Sequence, residues 1–361
     1  MSAPAHPPHT EISTTGEFGL IDRLQTIVEN IRLEKTAQHS DLIAGMGDDA
    51  AVFRPPPAGM LQLLTTDALV EGVHFDLTFT SLRHLGWKAM AANLSDIAAM
   101  GGKPRYATVA LSVPRKISIE MMEEFYRGMT AACKEYSFLI VGGDTTTSMA
   151  NMTISIALVG EVKEKNLLRR DAARPGEYLC VTGHLGASIA GLKILQREKD
   201  RFLASRQNEF QPRLEQYALA LEKHLMPRPR FDLIDTITDR AILVGGMIDI
   251  SDGLASEVHH LCRQSNVGAT LYEHNLPVES VTQHIAGELN ESVTEYALYG
   301  GEEYELLFTI SEKEQEKLEA VSKDITILGR ITEPEAGIHF VRENGEQEPL
   351  PFAGWDNFRS R

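Results

Sequence analysis

Only three cysteines, Cys133, Cys180 and Cys262, occur in 361 residues, and they are widely spaced. Such spacing supports neither a disulfide framework nor a zinc site, so they read as buried thiols of a reducing compartment. Long apolar runs are also missing. None approaches the roughly 20 residues a bilayer-spanning helix needs, so no membrane span is expected and the cytoplasm is the expected location. Positive charge is scarce: 35 Lys and Arg stand against 51 Asp and Glu, a formal net charge of -16. That balance argues against nucleic acid or an anionic membrane as the main partner.

Familiar nucleotide and hydrolase signatures are missing as well. There is no G-x-x-x-x-G-K-[ST] loop, no His-Arg-Asp with Asp-Phe-Gly, and no G-x-S-x-G elbow. Gly183-His184-Leu185-Gly186 has a glycine pair but reads first as a strand-to-helix turn whose N–H groups could face an anion.

What the chain does contain is a series of six short acidic motifs, each after an apolar, strand-like run. They are Gly47-Asp48-Asp49-Ala50, Thr65-Thr66-Asp67, Asn93-Leu94-Ser95-Asp96, Gly142-Gly143-Asp144-Thr145, Asp249-Ile250-Ser251-Asp252-Gly253 and Gly300-Gly301-Glu302-Glu303. Carboxylates delivered by separate elements repel one another unless they converge on positive charge. Asp, Thr and backbone oxygens suit several Mg²⁺ ions, and Mg²⁺ beside glycine-rich turns points to a polyphosphate nucleotide.

Length favours two domains, and 43% hydrophobic residues supply core for both. Met1 to Thr15, rich in Pro, His, Ser and Thr, is expected to be a disordered extension in which His6 and His9 are solvated. Residues 16–162 read as a first domain. In it, Leu20, Ile21, Leu24, Ile27, Val28 and Ile31 repeat at helical spacing, and Met60 to Thr65 is a strand ending at Thr66-Asp67. Helices are expected over Leu82–Met100, stopping at Gly101-Gly102, and over Ser118–Tyr136. Tyr106–Val113, Phe138–Val141 and Met152–Val159 read as strands, giving a layered sheet with helices on one face. A basic stretch from Glu161 to Pro175-Gly176 marks the break to a second α/β domain, residues 163–361. There Tyr178–Thr182, Met247–Ile250, Ala269–Tyr272, Tyr304–Ile310 and Ile325–Gly329 read as strands. Ala187–Gln196 reads as a helix, and Arg197–Gln211 as a charged, mobile helical excursion.

Taken in order, these motifs, with Thr65-Thr66-Asp67-Ala68-Leu69-Val70-Glu71-Gly72-Val73-His74-Phe75 and Gly354-Trp355-Asp356-Asn357-Phe358, resemble the thiamine-monophosphate kinase family. The resemblance runs from Gly16 to Phe358. It implies an α+β fold of two mixed α/β layered domains of the PurM-like type, its N-terminal sheet pairing into a barrel across a homodimer. The implied activity is Mg²⁺-dependent transfer of the ATP γ-phosphoryl group to thiamine monophosphate, giving thiamine diphosphate and ADP.

Residue by residue, the resemblance makes Asp49, Asp67, Asp96, Asp144 and Asp249 magnesium ligands, with Thr65 and Thr66 beside Asp67 and Asp252 as a further metal contact. Gly143, Asp144, Arg170 and Ser251 match nucleotide contacts. Tyr126 fits either a place against adenine or plain helix packing. His74, Glu302 and Trp355 match positions that hold thiamine monophosphate, and Glu303 replaces the aspartate often found after that glutamate. No side chain is expected as a general base. Singly, Gly-Asp-Asp is commonly a turn, and His74 or Trp355 a packing residue. Asp96 differs, because a free charge in its Ala-, Ile- and Met-rich segment would be costly. Two other readings remain: another ATP-dependent enzyme of the same superfamily, and a non-catalytic nucleotide-binding regulator. A selenophosphate synthetase would carry a reactive Cys near the N-terminus, which this chain lacks.

Overall fold

The computed structural model describes residues 9–46, 49–205, 211–320 and 324–355, and within these the side chains of all but residues 17, 18, 32–37 and 319. His6, Gly47 and Asp48, part of the charged excursion (206–210) and Asp356 to Phe358 therefore lie outside the described residues. The chain packs as two units. The first runs to Asn93 and resumes from Lys103 to Glu161; the second takes Leu94–Gly102 and continues from Val162.

The first unit is built on a four-stranded sheet of β3 (Met60–Val70), β4 (Lys103–Pro114), β5 (Leu139–Ser148) and β6 (Thr153–Lys163), whose last two residues enter the second unit. Its order is β3-β6-β4-β5. A short ladder of β1 (Leu42–Ala44) and β2 (Val52–Phe53) lies beside it in sequence. Helices α1 (Gly16–Lys35), α2 (Leu82–Ala99) and α3 (Ile119–Tyr136) complete the unit, α2 passing into the second unit at Leu94.

Strand alternation sorts the sheet's two faces. Val109, Leu111 and Val113 of β4 and Ile154, Ile156 and Leu158 of β6 are buried. The alternate positions pair across β4 and β6, Thr108 and Ala110 being exposed and Ser155 and Ala157 half-buried. β4 runs antiparallel to β6 and parallel to β5. The strands outrun the sequence expectation, because Thr65-Thr66-Asp67 lies inside β3 and Gly142-Gly143-Asp144-Thr145 inside β5. Threonine suits a pleated ladder, and an edge strand tolerates polar side chains turned outward.

Helix α2 is buried almost all round, as its run of Ala, Leu, Ile and Met requires. It crosses α3 at two glycines. A Cβ on Gly86 would strike the Phe125 carbonyl oxygen, and one on Gly128 the Arg83 carbonyl oxygen, so the backbones touch. Ser118 caps α3, its Oγ accepting the Met121 N–H at 3.3 Å. Within the expected extension 1–15, residues 10 and 11 join this helix start. The Thr10 N–H and hydroxyl donate to Glu120 at 2.9 and 2.5 Å, and Ile119 N–H donates to the Thr10 carbonyl at 2.9 Å.

The second unit holds a seven-stranded sheet of β7 (Tyr178–Thr182), β8 (Val244–Asp249), β9 (Gly268–Tyr272), β10 (Leu306–Ile310), β11 (Ile325–Thr332), β12 (Ile338–Val341) and β13 (Gln347–Pro349). Its order is β13-β12-β9-β11-β7-β10-β8. Every pairing is antiparallel except β9 with β12. Around it lie α4 (Ala187–Ala204), α5 (Ala218–Leu225), α6 (Phe231–Arg240), α7 (Leu254–Ser265), α8 (Ser280–Leu289), α9 (Val293–Tyr299) and α10 (Glu312–Glu319).

The two faces of this sheet have separate cores. Leu179, Val181, Ile248 and Leu307 pack with Leu254, Val258 and Leu261 of α7. Their neighbours Cys180, Met247, Leu306 and Phe308 pack on the other face with Leu233, Ile234 and Ile237 of α6 and with Ala98 and Ala99 at the end of α2. All three cysteines are buried free thiols. Among the described residues no helix is long and apolar enough to cross a membrane.

Candidate active site

The expected site residues divide between the units. The first carries Asp49, Thr65, Thr66, Asp67, His74, Tyr126, Gly143 and Asp144; the second carries Asp96, Arg170, Asp249, Ser251, Asp252, Glu302 and Trp355.

In the first unit, Asp67 and its two threonines lie on β3 and Asp144 on β5, the two outer strands of the sheet. Three strand spacings separate these edges, about 14 Å across a flat sheet. Gly143 has a reason of its own: a Cβ there would run into the Val109 carbonyl oxygen on β4. His74 sits in the turn that follows β3. Its Nδ1 accepts the Val70 N–H at 3.1 Å, which places a neutral ring's proton on Nε2, and the His74 backbone N–H donates to the Val70 carbonyl at 2.9 Å. Glu71 ties the same turn down through Lys116 and through the Met152 N–H at 2.8 Å. Tyr126 is 5% exposed on α3, next to Phe125, and burial pushes its hydroxyl well above the ordinary tyrosine range.

In the second unit, backbone hydrogen bonds draw three sequence-distant segments into one knot. Ile250 N–H donates to the Glu305 carbonyl at 2.8 Å, Glu302 N–H to the Ser251 carbonyl at 2.7 Å and Tyr304 N–H to the Ile250 carbonyl at 2.9 Å. Trp355 N–H donates to the Asp252 carbonyl at 2.8 Å. Ser251, Asp252, Glu302 and Trp355, remote in sequence, thus surround one turn between β8 and α7. Asp249, 5% exposed, closes β8 just before it. Glu302 and Tyr304 take left-handed backbone, φ +61° and +53°. For non-glycine residues this costs on the order of 1–3 kcal/mol each and persists where surrounding bonds impose it.

Arg170 is held on both sides. Met247 N–H donates to the Arg169 carbonyl at 3.0 Å, and Ser265 Oγ donates to the Arg170 carbonyl at 3.0 Å. His260 on α7 senses both Arg170 and Asp252: burial and then the Arg170 charge lower its pKa, while Asp252 opposes them. Asp96 is half-buried in the final turn of α2, among fully buried neighbours.

Two contributors were not foreseen from sequence. Glu257, in the first turn of α7, accepts the Asp252 N–H at 3.0 Å and the Ser251 N–H at 3.3 Å, and so holds the acidic turn by its backbone. Burial, helped by the Asp252 charge, pushes its carboxyl up to about 7. A Glu in a helix's first turn behind a Gly is the signal that could have shown it. The other is a buried group around Glu305, the residue just before β10, and Lys223 of α5. Glu305, 1% exposed in its side chain, accepts from Lys223 at 2.8 Å, Arg230 at 2.6 Å and Thr182 at 2.6 Å. Burial alone would raise Glu305, but Lys223 and Arg230 outweigh it and hold it below the usual carboxylate range. Nothing in local sequence links Lys223 to Glu305, because a tertiary contact joins them.

The comparisons with known proteins agree on one family. The model for the N-terminal domain of AIR synthase related proteins matches residues 47–162, and that for the C-terminal domain matches residues 174–342. The thiamine-monophosphate kinase of Bacillus subtilis strain 168 is 32% identical over 331 residues, 90% of this chain and 96% of its own. A crystal structure of thiamine-monophosphate kinase from Stenotrophomonas maltophilia K279a superposes with a TM-score of 0.75 at 31% identity, covering 94% of this chain and 99% of its own. A structure of AaThiL complexed with AMPPCP and TMP does so with a TM-score of 0.71 at 33% identity, covering 95% and 97%. With two AIR-synthase-type α+β domains and this likeness along nearly its whole length, the chain belongs to the thiamine-monophosphate kinase family of enzymes.

Proposed function

We propose that the protein transfers the γ-phosphoryl group of ATP to the phosphate of thiamine monophosphate by direct in-line attack, with Mg²⁺, in the cytoplasm. The observation that carries this reading is the knot in the second unit, where Ser251, Asp252, Glu302 and Trp355 meet around one turn. A relative crystallised with AMPPCP and TMP supports the same pair of substrates.

The acceptor phosphate has a second pKa of roughly 6, so at neutral pH it is largely dianionic and needs no base. An oxygen lone pair of the acceptor forms the new P–O bond. The bond from the γ-phosphorus to the β–γ bridging oxygen breaks, and ADP leaves with that electron pair. What remains for the protein is to position two polyanions and offset their repulsion. Arg170, its backbone carbonyl held by Ser265, offers the γ-phosphoryl group a guanidinium, and the Ser251 hydroxyl a nucleotide contact. Within the second unit, Glu302 and Trp355 hold the acceptor.

The donor set fits Mg²⁺. Asp49, Thr65, Thr66, Asp67 and Asp144 of the first unit, and Asp96, Asp249 and Asp252 of the second, offer only hard oxygen. Among the described residues no three His, Cys, Asp or Glu side chains form a ready-made cage. Mg²⁺ in nucleotide sites commonly takes one or two carboxylates, with phosphates and waters completing its octahedron. When bound there it neutralises phosphate charge.

A homodimer whose first-unit sheets close into a barrel completes the proposal. β3 and β5 leave two sheet edges, and the open face carries exposed Thr66, Ala68, Thr108 and Ala110 and half-buried Ser155 and Ala157, with Leu64 75% exposed and Asp144 beside Ala110. Solvated sheet faces are normally polar or charged. An interior shared by two copies explains this choice of residues.

The test is product analysis. Protein incubated with ATP, thiamine monophosphate and Mg²⁺ is expected to yield thiamine diphosphate by mass spectrometry, and none with a chelator present. Asp67→Asn keeps size but removes charge, and turnover is expected to fall by about 10² or more. Near-normal turnover in that variant would remove Asp67 from the proposed ligands.

A further inference from the structure

Three carboxyls lie within four residues at Glu302, Glu303 and Glu305, and each meets a different partner. Glu305 is neutralised by Lys223 and Arg230. Glu303, 3% exposed, accepts the Ser188 N–H at 3.2 Å through Oε1, while Oε2 has no hydrogen-bond partner. Glu302, with 27% of its side chain exposed, has the buried His224 ring beside it, Nδ1 standing 3.6 Å from Oε2. The same Nδ1 lies 3.3 Å from Ser188 Oγ. Ser188 therefore touches two of the three arms, Glu303 through its N–H and His224 through its hydroxyl. Helix α5 supplies Lys223 to Glu305 and the next residue, His224, to Glu302.

This pattern is more than packing needs. Glu302 has its backbone fixed by the Ser251 carbonyl, and its carboxylate meets the His224 ring. A buried imidazole, its Nδ1 within 3.3 Å of the Ser188 hydroxyl, stands against one oxygen of a carboxylate that is itself partly exposed.

We propose that His224, held in place by Ser188, is a positioning residue that aims the Glu302 carboxylate at the amino-substituted heteroaromatic ring of the acceptor. The inference rests on the reading that Glu302 contacts the acceptor. An ionised carboxylate only accepts hydrogen bonds, so it selects a ring that presents N–H donors. Holding that carboxylate in advance removes the need to order it when the acceptor arrives. Burial pushes Glu303 up to about 8, so at neutral pH it adds no further negative charge beside Glu302.

Steady-state kinetics, varying thiamine monophosphate at saturating Mg²⁺-ATP and then the reverse, test this. His224→Leu is expected to raise KM for thiamine monophosphate about tenfold, with kcat changing less than about twofold and KM for ATP unmoved. His224→Asn, which returns a polar group near the Nδ1 position, is expected to recover most of that loss. In Glu302→Ala the further change His224→Leu is expected to add nothing, because the histidine acts through the glutamate. Should His224→Leu fold poorly, Ser188→Ala is expected to raise the same KM by a smaller factor.

An unchanged KM in His224→Leu, while Glu302→Ala raises it, would overturn the inference and leave the acceptor reading standing. So would a full additional loss in the double variant, or equal loss for both substrates with no recovery by Asn. If Glu302→Ala itself leaves KM for thiamine monophosphate unchanged, the acceptor reading fails first and this inference with it.

Discussion

At the scale of single residues, the acidic motifs were legible because charge in apolar sequence needs a reason, and the structure supplies different reasons for different carboxyls. Glu302 is held by backbone bonds, Glu305 by two cations, and Glu303 by burial as a neutral acid. Sequence marks all three but cannot assign the partners, since Ser188, Lys223, His224 and Arg230 arrive from other elements. The neutral state of Glu303 has a measurable consequence. Its pKa rises from 4.5 to about 8, chiefly by burial. Below about pH 4.5 both folded and unfolded chains hold this proton. Between about 4.5 and 8 only the unfolded chain releases it, so this group's effect lowers stability as pH rises, levelling off above 8. Glu303→Gln has no proton to lose. Denaturant unfolding should show the variant gaining on the wild type across that window, by on the order of a few kcal/mol at its upper end. A pH-independent difference would contradict the neutral assignment.

Trp355 gives a second residue-scale expectation. Its backbone N–H holds the Asp252 carbonyl whatever the side chain is, so Trp355→Ala keeps the tie and removes only the ring. Attraction between an aromatic face and a cationic thiazolium amounts to roughly 0.5–2 kcal/mol. Calorimetric titration should show thiamine monophosphate binding weakened several-fold and Mg²⁺-ATP binding nearly unchanged. Equal loss of both would make the ring a structural pin for the chain end.

At the scale of elements, the helices of the first unit were readable and most of those of the second were not. α2 and α3 emerged within a residue or so of their expected limits, because capping by Ser118 and the glycines after α2 are local signals. β3 and β5 ran past their expected ends, because polar residues on edge strands carry no apolar alternation. α5, α9 and α10, seven or eight residues long, and the short strands β12 and β13 went unread for want of a full amphipathic period, but α6, α7 and α8, ten to twelve residues long, were missed as well. The α2–α3 crossing shows what sequence alone conceals. Gly86 and Gly128 read as weak helix formers, yet each is needed where two backbones touch. Gly128→Ala raises intrinsic helix propensity but drives a methyl into a carbonyl oxygen, so it should destabilise by about 1–3 kcal/mol or more and lower Tm. A raised Tm would mean that the helices can separate at no cost.

At the scale of the whole molecule, the outward sides of β3, β4 and β6 pose the remaining physical problem. A seven-stranded sheet with a core on each face satisfies itself, whereas the four-stranded sheet has one well-buried face and one open face, on which small residues lie with Leu64 and with Asp144 beside Ala110. A single chain gains nothing from leaving Leu64 three-quarters exposed on an edge strand. The proposed symmetric pair of chains would remove the problem by burying that face and covering the edges, since barrel closure leaves no unpaired ladder. Light scattering should therefore give about twice the chain mass of 40.0 kDa at micromolar concentration. Leu64→Glu places a charge where the proposed interior has no water to solvate it, and is expected to shift the protein toward the 40.0 kDa chain and lower turnover along with dimer content. A variant that stays dimeric, or a wild type that is monomeric throughout, would mean that the first-unit sheet meets water directly and that the barrel does not form.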